Sequence, residues 1–188
     1  MDKIKVDSGA AFFYPMPVVL VGSVVGGKVN VMPVGWISRV NYEPPLFMVA
    51  LGPHHTNKGI EKNKEFSINV PDVSLIEQTD YCGLVSGSTT DKSEVFDIFY
   101  GALGKAPLIR ECPICMSCTL YDTIKLPFDI LYIGEVKEVF TEERYMTDKK
   151  LDITKINPFT LTMPDNHYWS LGDNLGKAWN IGNNYKKK

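Results

Sequence analysis

The stretch VVLVGSVVGGKVNVMPVGWIS, residues 18–38, decides the fold. Val18-Val19-Leu20-Val21 and Val24-Val25 form one β-branched run. After Gly26-Gly27, Val29 and Val31 alternate with Asn30 and Met32. Two β-runs around a Gly-Gly pair read as a hairpin, because glycine supplies the positive φ that a tight turn needs. The same stretch comes close to the phosphate-loop pattern G-x-x-x-x-G-K-[ST]. It fails where Val29 replaces the hydroxyl that would meet magnesium, and it runs into a strand rather than a helix.

The pattern continues outward. Residues 46–51, after Pro44-Pro45, read as a buried strand, and Phe66, Ile68 and Val70 alternate with Ser67 and Asn69. Residues 114–124 and 128–140 are longer β-runs. Short helices are expected over 57–64, with Thr56 as N-cap, and after the capping box Ser74-Leu75-Ile76-Glu77. The tail from Asp165, rich in Asn, Gly and aromatic residues, is expected to be irregular or to dock on a partner subunit. Five or six strands with minor helices predict a mainly β, barrel-like fold. No G-x-G-x-x-G follows a strand, so a dinucleotide fold is disfavoured.

At 188 residues with 44% apolar content, the chain suits a single domain over 1–188. A net charge of −2 gives no reason to expect nucleic acid or an anionic membrane as the main partner. The opening MDKIKVDSG has no apolar core of a signal peptide, and residues 18–25 are too few to span a bilayer. A cytoplasmic protein with reduced thiols is expected. Lys186-Lys187-Lys188 reads as a solvated tail.

Two segments could hold an anion. Gly52-Pro53-His54-His55-Thr56-Asn57-Lys58-Gly59 lies between a strand end and a helix start, where free N–H groups and the helix dipole favour negative charge. Ser86-Gly87-Ser88-Thr89-Thr90-Asp91-Lys92 offers hydroxyls, a permissive glycine and a compact cation. Taken singly, a plain helix cap and a solvated turn explain them as well or better; together they favour an anionic ligand. Trp36 could stack on a planar ligand, although a core tryptophan is the simpler reading. Cys112, Cys115 and Cys118 show an iron–sulfur spacing. On a strand, however, Cys112 and Cys118 would share one face and Cys115 the other, so buried thiols are expected instead. The adjacent His54 and His55 point apart on an extended chain and lack a third ligand pattern, so no metal is expected. No catalytic constellation can be argued from spacing.

Residues 30–38 (NVMPVGWIS), then Pro44-Pro45-Leu46, Thr56-Asn57-Lys58-Gly59-Ile60 and Glu65-Phe66-Ser67-Ile68-Asn69-Val70 resemble the flavin reductase-like, FMN-binding split-barrel family. Tyr81-Cys82-Gly83 with Ser86-Gly87 and Asp91-Lys92 resembles its flavoredoxin branch. The resemblance implies a six-stranded antiparallel split β-barrel, a homodimer and one FMN per subunit near the dimer interface. It implies that Asn30, Trp36, Ile37 and Ser38 border the flavin. His54, Thr56 and Asn57 would lie near its phosphate or ribityl chain, and Ser88, Thr89 and Lys92 would close the site. The resemblance also implies electron transfer or flavin-dependent reduction. The alternatives are a non-catalytic flavin-binding module and an NAD(P)H:flavin oxidoreductase. Residues 128–134 lack the histidine that many flavin reductases of the family use for nicotinamide. A redox protein therefore stands beside NAD(P)H as the expected electron donor.

Overall fold

Gly26 and Gly27 hold φ of 60° and 87°, a region that side chains resist. They turn β1 (Val19–Val25) back onto β2 (Lys28–Val34), with Val25 opposite Lys28 and Val19 opposite Val34. The expected hairpin is present. The computed structural model describes residues 1–186; Lys187 and Lys188, the end of the basic run, lie outside the described residues.

Five more strands join this hairpin: β3 (Ile37–Asn41), β4 (Leu46–Leu51), β5 (Glu65–Val70), β6 (Ile114–Lys125) and β7 (Ile130–Phe140). All neighbours pair antiparallel, in the order β2-β1-β5-β6-β7-β4-β3. Only Gly35 and Trp36 separate β2 from β3, which stand at the two ends of that order. The sheet must therefore curl back on itself, and β2 comes against β4. This is the mainly β split barrel expected from the sequence, with seven strands in its sheet instead of six. The added strand is β3. Its residues after Ile37 are all exposed, so it carries no apolar alternation and is held by pairing with β4.

Phe66, Ile68, Val49, Leu51 and Tyr132 fill the barrel, and Ile60 of α1 (His55–Asn63) plugs its end. A second core lies outside the sheet, where Leu20 and Val31 meet Cys82 of α2 (Ile76–Leu84), Leu108 and Ile109. β1 is thus buried on both faces, as its unbroken apolar run requires. Ser67 and Asn69 of β5 are also buried. Asn69 donates to the Leu20 carbonyl at 3.2 Å and accepts from the Ile109 amide at 3.0 Å, while Ser67 donates to the Pro107 carbonyl. The alternation in β5 therefore marks a face covered by residues 106–109, not a solvent face.

Three local expectations are corrected. Thr56 is not a cap: the helix begins at His55, His54 takes the N-cap position without a side-chain bond, and Thr56 Oγ1 accepts from Asn30 Nδ2 at 2.7 Å. Ser74 opens no capping box: Asp72 accepts from the Ser74 amide at 2.8 Å and caps a short 3-10 turn leading into α2. Cys112 does not share a face with Cys118. It precedes the start of β6 and joins Cys115 in the outer core, whereas Cys118 points into the barrel. The tail is partly regular, since His167–Ser170 pairs with Phe159–Thr162, which pairs with Met16–Pro17.

All four cysteines are free and buried, and burial pushes the thiols of Cys115 and Cys118 up to about 12. The thiolate is the reactive form, so these groups should resist a disulfide-exchange reagent in the native protein at pH 8 and react together in denaturant. Rapid native labelling of Cys118 would contradict the packing. Phe66→Ala should cost about 3–5 kcal/mol, read as a lower urea midpoint at unchanged slope.

Candidate functional site

Two cavities meet beside the hairpin. The first, of about 290 Å³, is walled by Asn30, Met32 and Pro33 of β2, by His54-His55-Thr56 at the start of α1, and by residues 82–87 and Lys92. The second, of about 390 Å³, is walled by Met32, Pro33, Trp36, Gly52, His54 and Phe128, with Asp129, Leu161 and Met163 among the remaining lining. Met32, Pro33 and His54 belong to both. Each alone sits near the lower end of the roughly 300–1,000 Å³ typical of ligand pockets, and joined they fall within it.

The first cavity is built to meet polar groups. No side chain caps α1 and no acidic residue lies in its first turn; the Asn57 amide donates to the His54 carbonyl at 3.3 Å, so the His55 and Thr56 N–H groups and the dipole remain available to an anion. Asn57 Nδ2 donates to the Gly52 carbonyl at 2.9 Å and fixes the corner from which the helix starts. Asn30 Oδ1 and His55 Nδ1 are buried without a protein partner. Burying a polar atom unpaired is costly, so such atoms at a cavity wall point to a bound group. A Cβ on Gly87 would collide with Asn30 Oδ1; glycine is what lets this loop close over β2.

Lys92 has a different place from the one a flexible surface cation would take. Only 4% exposed, it donates from Nζ to the Cys82 carbonyl at 2.6 Å and to the Val31 carbonyl at 3.0 Å. Burial lowers its pKa, opposed by the neighbouring Cys82 thiol. An ammonium has three donors, so one remains for the cavity that Lys92 lines. Next to it, Asp91 pairs with Lys28 at 2.6 Å and accepts from Ser93.

Of the residues singled out in the sequence, Asn30, His54, Thr56 and Lys92 converge on the first cavity, and Trp36 lines the second. Asn57 lies beneath the corner. Ile37 packs toward the barrel core, and Ser38 is exposed with its hydroxyl on the Arg39 carbonyl. Ser88 and Thr89 bond back to Ser86 and shape the turn, leaving Ser86 and Gly87 as the wall. Sequence reasoning missed His55, Met32, Phe128 and Met163 as lining. Phe128 and Met163 arrive from distant turns with no local signal.

Residues 11–166 match the family model described as flavin reductase like domain. The chain belongs to this family. Flavoredoxin from Methanosarcina acetivorans, a solved structure, is similar with a TM-score of 0.94 and 45% identity, over 97% of this chain and 98% of that one. Flavoredoxin of Desulfovibrio vulgaris (Miyazaki F) gives 0.87 and 29% identity over 95% and 100%. An uncharacterized protein of Pyrococcus abyssi (strain GE5 / Orsay) is 30% identical over 129 residues, 68% of this chain and 75% of its own length. Among the described residues, no group of three His, Cys, Asp or Glu side chains could hold a metal, and no helix is long and apolar enough to cross a membrane.

Lys92→Met should destabilise the ligand-free protein. It leaves two buried carbonyls unpaired, at roughly 1–3 kcal/mol each, offset in part by relief from burying a charge. Urea unfolding without ligand reads the loss. An unchanged midpoint would show that the two bonds add nothing to the fold.

Proposed function

We propose that the chain binds FMN non-covalently and acts in electron transfer or flavin-dependent reduction, as a flavoprotein of the flavoredoxin type. One observation carries this reading: a donor-lined cavity at a helix N-terminus adjoins, along Met32, Pro33 and His54, a larger apolar one. FMN has the same layout, with a phosphate at one end, a hydroxylated chain between, and a planar ring at the other.

The residues fit that group. The free N–H groups of α1, His55 and Ser86 suit the phosphate, and Lys92 adds charge from below. Asn30 Oδ1, a buried acceptor with no protein donor, suits a ribityl hydroxyl. Trp36, Met32 and Phe128 offer apolar surface to the ring. Ile37 and Ser38 enter only through their backbone. Bound FMN supplies hydride and single-electron chemistry, and the protein supplies binding and orientation. No side chain of the site has to move a proton for that role.

Trp36 is 47% exposed and Phe128 75%, so the ring end opens on an apolar mouth. Such a mouth suits a redox protein as electron donor, with NAD(P)H as the alternative. A homodimer and a cytoplasmic setting belong to the same reading, the latter supported by four unpaired thiols.

Calorimetry should show FMN binding at least tenfold tighter than riboflavin, since the first cavity addresses the phosphate. Equal affinities would remove the phosphate from it. The bound flavin should bleach with dithionite but only slowly with NADH, because a nicotinamide must be held about 3–3.5 Å from the ring to react. Reduction by micromolar NADH within seconds in a stopped-flow instrument would restore the NAD(P)H:flavin oxidoreductase.

A further inference from the structure

Lys92 Nζ has two acceptors in the protein, the Cys82 carbonyl at 2.6 Å and the Val31 carbonyl at 3.0 Å. A neutral amine has two N–H groups and a lone pair, whereas an ammonium has three N–H groups. The two carbonyls therefore satisfy either form. The forms differ in what they turn to the cavity that Lys92 lines: the ammonium presents a donor, the amine a lone pair. With the residue only 4% exposed, the contents of that cavity are what meet this third position.

The third position discriminates between ligands. A hydroxyl can accept from the ammonium or donate to the amine, so it pairs with both forms. A phosphate monoester is a dianion above about pH 6 and its oxygens only accept, so a lone pair facing them repels. Other ionisable groups face Lys92 from each neighbouring element. The Cys82 thiol stands on α2, His54 and His55 stand at the start of α1, and Lys28 of β2 pairs with Asp91 from the lysine's own loop. Burial raises the Cys82 thiol, and the Lys28–Asp91 pair holds both of its members charged.

We infer that the first cavity takes a phosphate monoester only with a proton on Lys92, so that ligand and proton bind together and are lost together in alkaline solution. The choice of FMN as that monoester rests on the flavin reading above. Burial lowers the Lys92 pKa in the empty site, and a dianion beside the ammonium raises it. Between those two ionisation points, each pH unit weakens phosphate binding by up to about tenfold, and binding takes up as much as one proton. Below both points the affinity is flat, because Lys92 already carries its proton. An arginine would stay charged throughout and hold the phosphate without regard to pH. A lysine buried on two carbonyls makes that hold conditional.

The test titrates the full chain with FMN and with riboflavin at pH 7.5 and pH 9.5, with circular dichroism checking the fold. Riboflavin shares the ring and lacks the phosphate, so the ratio of the two affinities isolates the phosphate end. That ratio should fall at least about threefold over this range. Calorimetry at pH 9 in buffers of different ionisation enthalpy should show proton uptake with FMN and none with riboflavin. In Lys92→Arg the ratio should no longer change with pH, and in Cys82→Ser it should fall as in the parent. A constant ratio in the parent, a fall that persists in Lys92→Arg, or one that vanishes in Cys82→Ser would overturn the inference. If Lys92→Arg does not fold, the proton counts of the parent and of Cys82→Ser decide: uptake in both supports the inference, and absence in either overturns it. If the parent binds no FMN at all, the flavin reading fails and inorganic phosphate becomes the probe. It should then raise the urea midpoint more at pH 7.5 than at pH 9.5; equal shifts, or none, would overturn the inference as well.

Discussion

The buried ammonium of Lys92 ties three stretches of chain into one wall. Its two bonds reach the Val31 carbonyl on β2 and the Cys82 carbonyl on α2. Its own backbone ends the loop that begins at Ser86. Taking an ammonium out of water is expensive, and two carbonyl acceptors offset that cost only when both stand at bonding distance. Outside the wall, the Lys28–Asp91 pair holds the same loop to the hairpin. Lys28 and Ser93 together keep the Asp91 carboxyl well below the usual carboxylate range, so this tie stays ionised at neutral pH. Once the loop is fixed, Gly87 rests against Asn30, and Asn30 in turn donates to Thr56 at the start of α1. The cavity is the space these contacts leave.

The wall explains which parts of the molecule could be read in advance. Strand runs such as 19–25 and 46–51 carry their own signal, because an apolar segment bounded by Gly or Pro has few other places to go. β3 carries none, since its side chains after Ile37 are exposed and its neighbour alone defines it. Thr56 misled because a hydroxyl near a helix start serves a cap or a tertiary bond equally well, and Ser74 misled because Asp72, two residues earlier, takes the cap and accepts from the Ser74 amide and hydroxyl. Cys112 misled because the strand begins two residues after it.

The site divides in the same way. Asn30, His54, Thr56 and Lys92 stand in segments whose composition shows an excess of polar donors, and the structure brings them to one cavity. Ser88 and Thr89 carry the same composition but spend it on the turn itself. The second cavity draws on Phe128 after β6 and on Leu161 and Met163 from a late hairpin. Their convergence follows from the curl of the sheet, a long-range property that no local window contains.

The strand order has a consequence for how the molecule forms. Three hairpins, β1 with β2, β3 with β4 and β6 with β7, close locally. The pairings that shut the barrel, Leu20 opposite Asn69 and Leu51 opposite Ile130, join distant parts of the chain. Loop-closure entropy must be overcome before those pairings return anything, which places this topology among the slower folders. The site inherits that order of events. Its polar end assembles only when the first hairpin meets α1 and α2, and its apolar end only when the last strands return to β4. A ligand that bridges both ends therefore recognises the finished barrel and no earlier state. It adds its binding energy to the native side of the equilibrium alone.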